Sequence, residues 1–133
     1  MPFVLDSSAT IPCFAPDELP IAAVEARLLS DTAVVPAIWP QEIFNALCMM
    51  ERRKRLTAVQ ATAIADGLQQ LTVAIEPANL QRLAEDVYPL AKAHGLTIYD
   101  ASYLELAVRR QLPLATLDEA LIKAAKKAKV KLV

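Results

Sequence analysis

The stretch PFVLDSSAT, residues 2–10, runs three apolar side chains straight into an aspartate and two serines. Consecutive apolar residues without polar alternation read as a short strand buried on both faces. Asp6 closes that strand. It can cap a turn through local backbone contacts, with Ser7 or Ser8 helping. A carboxylate flanked by Leu5 and Ala9 still loses solvation and needs a compensating partner.

Outward from this strand the same pattern returns four times, in TAVVP (32–36), LTVAIE (71–76), LPLATL (112–117) and VKLV (130–133). Helical periodicities fill the intervals. DELPIAAVEARLLS predicts a first helix with acidic residues near its start. PQEIFNALCMMERRKR predicts a second over 40–54, with Pro40 at N1 and basic residues at the end that the dipole favours. Thr57 is the expected N-cap of a third. A fourth lies in PANLQRLAEDVYPLAKAHG, where Pro89 introduces a kink and Gly95 a stop. YDASYLELAVRRQ and DEALIKAAKKA are the fifth and sixth. Doubly apolar strands alternating with helices imply an α/β chain, a three-layer α/β/α sandwich around a central, mainly parallel sheet. With 133 residues and no linker or repeat, residues 1–133 form one domain. Ligands of such sheets bind outside the carboxyl ends of the strands, where the strand order reverses.

Composition narrows the function classes. Hydrophobic residues make up 55% of the chain, enough that a partner is expected to cover some of them. No apolar run approaches the roughly 18 residues of a membrane span. Asp6 interrupts the N-terminal run at once, so neither a leader nor an anchor is expected there, and the cytoplasm is the predicted compartment. Cys13 and Cys48 stand in apolar settings without metal-ligand spacing and read as buried thiols. The net charge of −1 hides the basic cluster Arg52, Arg53, Lys54 and Arg55 and five lysines after residue 122. Those clusters are either solvated helix ends or a phosphate-tracking surface.

Gly67 and Gly95 are the only glycines, and neither closely follows a strand, so phosphate loops and dinucleotide fingerprints are excluded. His94 is the only histidine and precedes the helix stop, which makes histidine-based triads improbable. Carboxylate chemistry remains. Four acids each close or interrupt an apolar pattern: Asp6, Glu42, Asp100 and Asp118. Glu42 at N3, Asp100 near a helix start and Asp118 as an N-cap would each have a structural use on their own. On a doubly wound sheet, however, all four converge on one rim. Such a cluster repels itself, and a divalent cation is the natural compensation. Ligands that are all oxygen select Mg2+ or Mn2+, which act on phosphate substrates, and that points to phosphodiester hydrolysis.

The blocks VLDSSA, PQEIFNAL, LTIYDASYLELA and LATLDEALIKAA, in that order, resemble the PIN-domain family, and closely the VapC-type toxins of toxin–antitoxin pairs. The resemblance spans residue 3 to the end. It implies a PIN-like sandwich, a metal-dependent endoribonuclease acting on RNA, a cognate antitoxin that blocks the site, and a homodimer. Residue by residue it gives Asp6, Glu42, Asp100 and Asp118 as the acidic quartet and metal ligands, with Asp6 and Asp100 foremost. Ser8 and Thr116 match the small hydroxyl positions beside the first and last acids.

Phe44, Leu47 and Met50 on the second helix then become candidates for a partner surface, against ordinary core packing. Arg52, Arg53, Lys54 and Arg55 become candidates for drawing RNA toward an acidic pocket. Two rivals stand beside this reading. One is a non-catalytic interaction module of the same fold. The other is a phosphotransfer domain with Asp6 as nucleophile, which usually needs a second aspartate two residues on, where this chain has Ser8.

Overall fold

The computed structural model describes residues 1–133. Four strands form one parallel sheet in the order β3-β2-β1-β4. These are β1 (Phe3–Leu5), β2 (Ala33–Pro36), β3 (Val73–Glu76) and β4 (Leu114–Ala115). The register pairs Phe3 with Ala33 on one side of β1 and Leu5 with Ala115 on the other. β1 and β2 are fully buried, which is why both read as uninterrupted apolar runs. The order reverses between β1 and β4, and Asp6 leaves the sheet at that point.

Helices cover the sheet. α1 (Ser7–Thr10) follows β1 without a loop, and α2 (Ala22–Ser30) leads into β2. α3 (Trp39–Arg52) and α4 (Ala58–Gln69) lie between β2 and β3. α5 (Leu80–Arg82), a wide π turn over Leu83–Val87 and α6 (Tyr88–His94) run on continuously, followed by α7 (Ile98–Arg110) and, after β4, α8 (Glu119–Lys127). α3 buries Trp39, Ile43, Leu47 and Met50, a stripe at helical spacing. α7 buries nearly every residue from Ala101 to Ala107 and is the central helix of the core.

Local chemistry sets most boundaries. The Thr57 hydroxyl accepts from the Gln60 N–H while the Gln60 side chain accepts from the Thr57 N–H, a reciprocal cap on α4. Gly95 adopts φ +64° and ends α6, a conformation that glycine takes without strain. Pro89 has no N–H to donate to the preceding turn, and the π turn just before it absorbs the missing bond without breaking the helix.

Several expectations are corrected. The first long helix begins at Ala22, not Asp17, because Pro20 disfavours helical backbone at the residue before it. α3 begins one residue earlier than expected, so Pro40 is N2 and Glu42 N4. VKLV does not form a strand; Leu132 makes a single bridge to Leu114. β3 is a half-open edge strand, with Ala74 and Ile75 exposed. Neither cysteine is a buried thiol: Cys48 is exposed, one step off the α3 stripe, and Cys13 is half-buried; both are free.

Candidate metal centre

Parallel strands joined by antiparallel helices put strand carboxyl ends and helix N-termini on the same rim. Asp6 follows β1 directly, Asp118 is the N-cap of α8, Glu42 lies in the first turn of α3 and Asp100 in the first turn of α7. The four acids therefore gather at the switch point of the sheet.

Asp6 is only 3% exposed, and hydroxyls surround it. Ser8 Oγ donates to its Oδ2 at 2.6 Å and Thr116 Oγ1 donates to the same oxygen at 2.7 Å. Oδ1 receives only a long contact from Ser7, at 3.4 Å. Ser8 also accepts from the Leu117 N–H and Thr116 from the Asp118 N–H, so the two hydroxyls tie the end of β1 to the turn after β4. Behind them Thr10 Oγ1 donates to the Asp6 carbonyl and accepts from Trp39 Nε1, which joins α1 to the start of α3.

Glu42 accepts from the Tyr103 hydroxyl through Oε1, at 2.5 Å. Tyr103 is fully buried and lies one turn after Asp100 on α7. Thr97 caps that helix by accepting the Asp100 N–H. Asp118 uses Oδ1 to accept the Leu121 N–H, so its capping use holds as expected while Oδ2 stays open.

The electrostatics show what this arrangement costs. Burial raises the pKa of Glu42; the Tyr103 hydrogen bond opposes the shift, and the charges of Asp6 and Asp100 add to it. Burial likewise raises Asp100, reinforced by Asp118 and Asp6. Burial, followed by Glu42, pushes the Tyr103 hydroxyl up. No lysine, arginine or terminal amine forms an ion pair with any of the four acids; every ion pair in the molecule involves other carboxylates. The donor set suits a hard divalent cation, being oxygen alone with at least one free oxygen on each acid. The side chains as they stand do not bring three acids to ligating distance.

Thr10, Trp39 and Tyr103 were not singled out from sequence. The spacing of Asp100 and Tyr103 at i and i+3 was the available signal for the last of these. The basic cluster lies elsewhere. Arg52 is ten residues beyond Glu42 on α3, about 15 Å along the helix axis and toward the opposite rim. Arg55 is occupied there, with a bidentate pair to Asp17 and a further bond to Glu18. Among the proposed partner residues, Leu47 and Met50 are core, and only Phe44, 43% exposed, remains open.

The model of the PIN domain matches residues 3–127. Ribonuclease VapC3 of Pyrobaculum aerophilum is 29% identical over 121 residues, 91% of this chain and 92% of that protein. Ribonuclease VapC3 of Mycobacterium tuberculosis is 32% identical over 121 residues, 91% of this chain and 85% of its own. Among solved structures, PAE2754 from Pyrobaculum aerophilum superposes with a TM-score of 0.68 at 25% identity, covering 93% of this chain and 79% of that one. FitAcB from Neisseria gonorrhoeae shares the fold, with a TM-score of 0.65 at 19% identity over 99% of this chain and 96% of its own. The family match opens on the first residue of β1 and closes on the last of α8, leaving no element of the sandwich outside it. The chain belongs to the PIN domain family.

Proposed function

We propose that the protein is a VapC-type ribonuclease, a metal-dependent endonuclease that hydrolyses RNA phosphodiester bonds at the rim formed by Asp6, Glu42, Asp100 and Asp118. One observation carries this reading: four acids share a single field, two of them with raised pKa values, and no basic side chain offsets them. A fold keeps such a cost where a function requires it. The two relatives named as ribonucleases, each aligned over 121 residues, support the same activity.

Asp6 Oδ1 and the Asp100 carboxylate would hold Mg2+ or Mn2+, with the free oxygens of Glu42 and Asp118 completing the acidic wall. The cation supplies Lewis acidity toward phosphate and a water of lowered pKa. The protein's share is orientation. Ser8 and Thr116 fix Oδ2 of Asp6, so Oδ1 is the oxygen presented to the site. Tyr103 fixes one oxygen of Glu42, leaving Oε2 to accept a proton from an attacking water. The phosphotransfer rival usually needs a second aspartate two residues after Asp6, where this chain has Ser8.

The same reading carries a protein antitoxin as partner, RNA as substrate and a second copy of the chain. Phe44 is the large apolar side chain of α3 left exposed for such a contact. No helix is long and apolar enough to cross a membrane. The test is cleavage of labelled RNA by the purified chain with Mg2+ or Mn2+, and with chelator. A folded protein that binds no divalent ion and cuts no RNA would favour the interaction module.

A further inference from the structure

A cavity of about 390 Å³ opens on the same rim, beside the acidic cleft and separate from it. Pro36 and Glu76, the last residues of β2 and β3, stand at its edge, and Ile38, Leu83, Val87 and Leu106 give it an apolar floor. Gln41 and Tyr99 line it, and each immediately precedes an acid of the cleft, Glu42 or Asp100. Successive residues of an α-helix diverge by about 100°, so the first turns of α3 and α7 show one face to the cavity and another to the acids. The two sites share these walls.

The polar groups of the cavity are not all engaged. Arg109 is satisfied, donating through Nε to Glu105 at 2.7 Å and through Nη2 to Glu76 at 3.2 Å; Arg110, outside the lining, donates to Glu76 at 2.8 Å. Arg82 is held by ion pairs alone: its guanidinium stands 3.7 Å from Glu76 and 3.7 Å from Glu105, beyond hydrogen-bond reach of either, and donates to no other group of the chain. A guanidinium with unspent donors thus lines a concave, largely apolar space, beside Glu76, whose oxygens accept from Arg110 and Arg109 and each keep a second lone pair. At the mouth the Tyr99 ring is 58% exposed.

Resting on the ribonuclease reading above, we propose that this cavity receives one base of the RNA strand adjoining the scissile phosphate, and that it selects a keto base, guanine or uracil. Arg82 donates to the base carbonyl. The neighbouring ring N–H donates to Glu76. Both contacts need a carbonyl beside a ring N–H, which guanine and uracil have. Adenine and cytosine turn an amino group toward the guanidinium and offer no ring proton to the carboxylate. Tyr99 supplies an aromatic face for the base or its neighbour. The volume suffices for a base with bridging water.

The test separates this site from the nuclease activity by using neutral nucleosides, which carry no phosphate for the acidic cleft. Inosine and uridine, each at millimolar concentration, are titrated into the labelled full-length protein and followed by amide chemical shifts, with adenosine and cytidine in parallel. Inosine and uridine are expected to move the amides of Tyr99, Ser102 and Arg82, and the other two to leave them in place. Arg82→Met is expected to abolish the response, and Tyr99→Ala to weaken it by roughly tenfold. On RNA, cleavage sites should carry guanine or uracil at one fixed position, a preference that Arg82→Met flattens. Equal shifts from all four nucleosides, no shifts at all, or a preference indifferent to Arg82→Met would overturn the proposal. So would a homodimer dissolved by Tyr99→Ala, because a second copy would then cover the mouth. Nucleoside binding without any RNA cleavage would retain the pocket and remove the nuclease. Cleavage without nucleoside binding or base preference would do the reverse.

Discussion

The Thr116 hydroxyl donates to Asp6 Oδ2 at 2.7 Å, joining residues 110 positions apart at the junction of the two strands where the sheet order reverses. Hydrogen bonds to a charged, buried acceptor are among the stronger ones, at roughly 1.5–3 kcal/mol. Thr116→Val keeps the shape and removes the donor. We expect a loss of about 2 kcal/mol in chemical denaturation. Cleavage should fall by roughly 10–100-fold, as for other residues that orient a metal ligand. A variant as active as the parent would dissociate the hydroxyl from the site.

Tyr103→Phe tests the other brace. The hydroxyl lowers the pKa of Glu42 against burial and the charges of Asp6 and Asp100. Without it the Glu42 carboxyl titrates higher still, and the acid limb of the pH–rate profile should move toward neutrality. A stability loss of about 1 kcal/mol accompanies the missing bond. An unmoved acid limb would mean that Glu42 does not act in the reaction.

The acids set an opposition between stability and function. Glu42 and Asp100 have raised folded pKa values, so the folded chain binds more protons than the unfolded one above the ordinary values of 4.5 and 3.8. Their contribution is therefore most favourable below those values and is lost as pH rises through the raised ones. Glu42→Gln should raise the metal-free Tm at neutral pH, and the gain should fade below about pH 4.5. Glu76 runs the other way: its burial is outweighed by Arg110 and Arg109, which hold its carboxyl low. The difference between variant and parent at each pH isolates the Glu42 effect. Added Mg2+ should raise the parent's Tm at neutral pH, and the gain should shrink as pH falls through the raised pKa values of Glu42 and Asp100.

The basic end of α3 offers a contrast. Arg52 closes α3 about 15 Å from Glu42 along the helix, beyond a Debye length of about 8 Å at physiological salt, and Arg53 and Lys54 follow it in the turn. Replacing all three with serine should leave cleavage within about twofold at that salt. A deficit should emerge only at low ionic strength. An equal loss at every salt concentration would put these residues in direct contact with the RNA.

The acids and the central strands were legible for one reason. A residue that breaks an apolar run declares itself, and Asp6, Asp100 and Asp118 each do so beside a buried element. Thr57 and Gly95 were legible through cap chemistry that acts over three or four residues. What stayed hidden depends on tertiary neighbours. Ser7–Thr10 is helical because its hydroxyls find Asp6 and Trp39, neither visible from propensity. VKLV resembles a strand, yet its pairing stops at one bridge, in which the Lys131 carbonyl and the Val133 N–H bond Leu114 of β4, a strand only two residues long. The Arg82 cavity draws residues from three distant stretches, 36–41, 76–87 and 98–109, and no local pattern marks it.

Cleavage of RNA is expected to require a divalent metal held by the rim acids. The most direct measurement compares the purified chain with Asp100→Asn on one labelled RNA, each with Mg2+ and with chelator. We expect cleavage by the parent that chelator abolishes, and a loss of more than about 100-fold in the variant, beyond what orienting residues cost. Cleavage by Asp100→Asn at the parental rate, or by the parent in chelator, would contradict it.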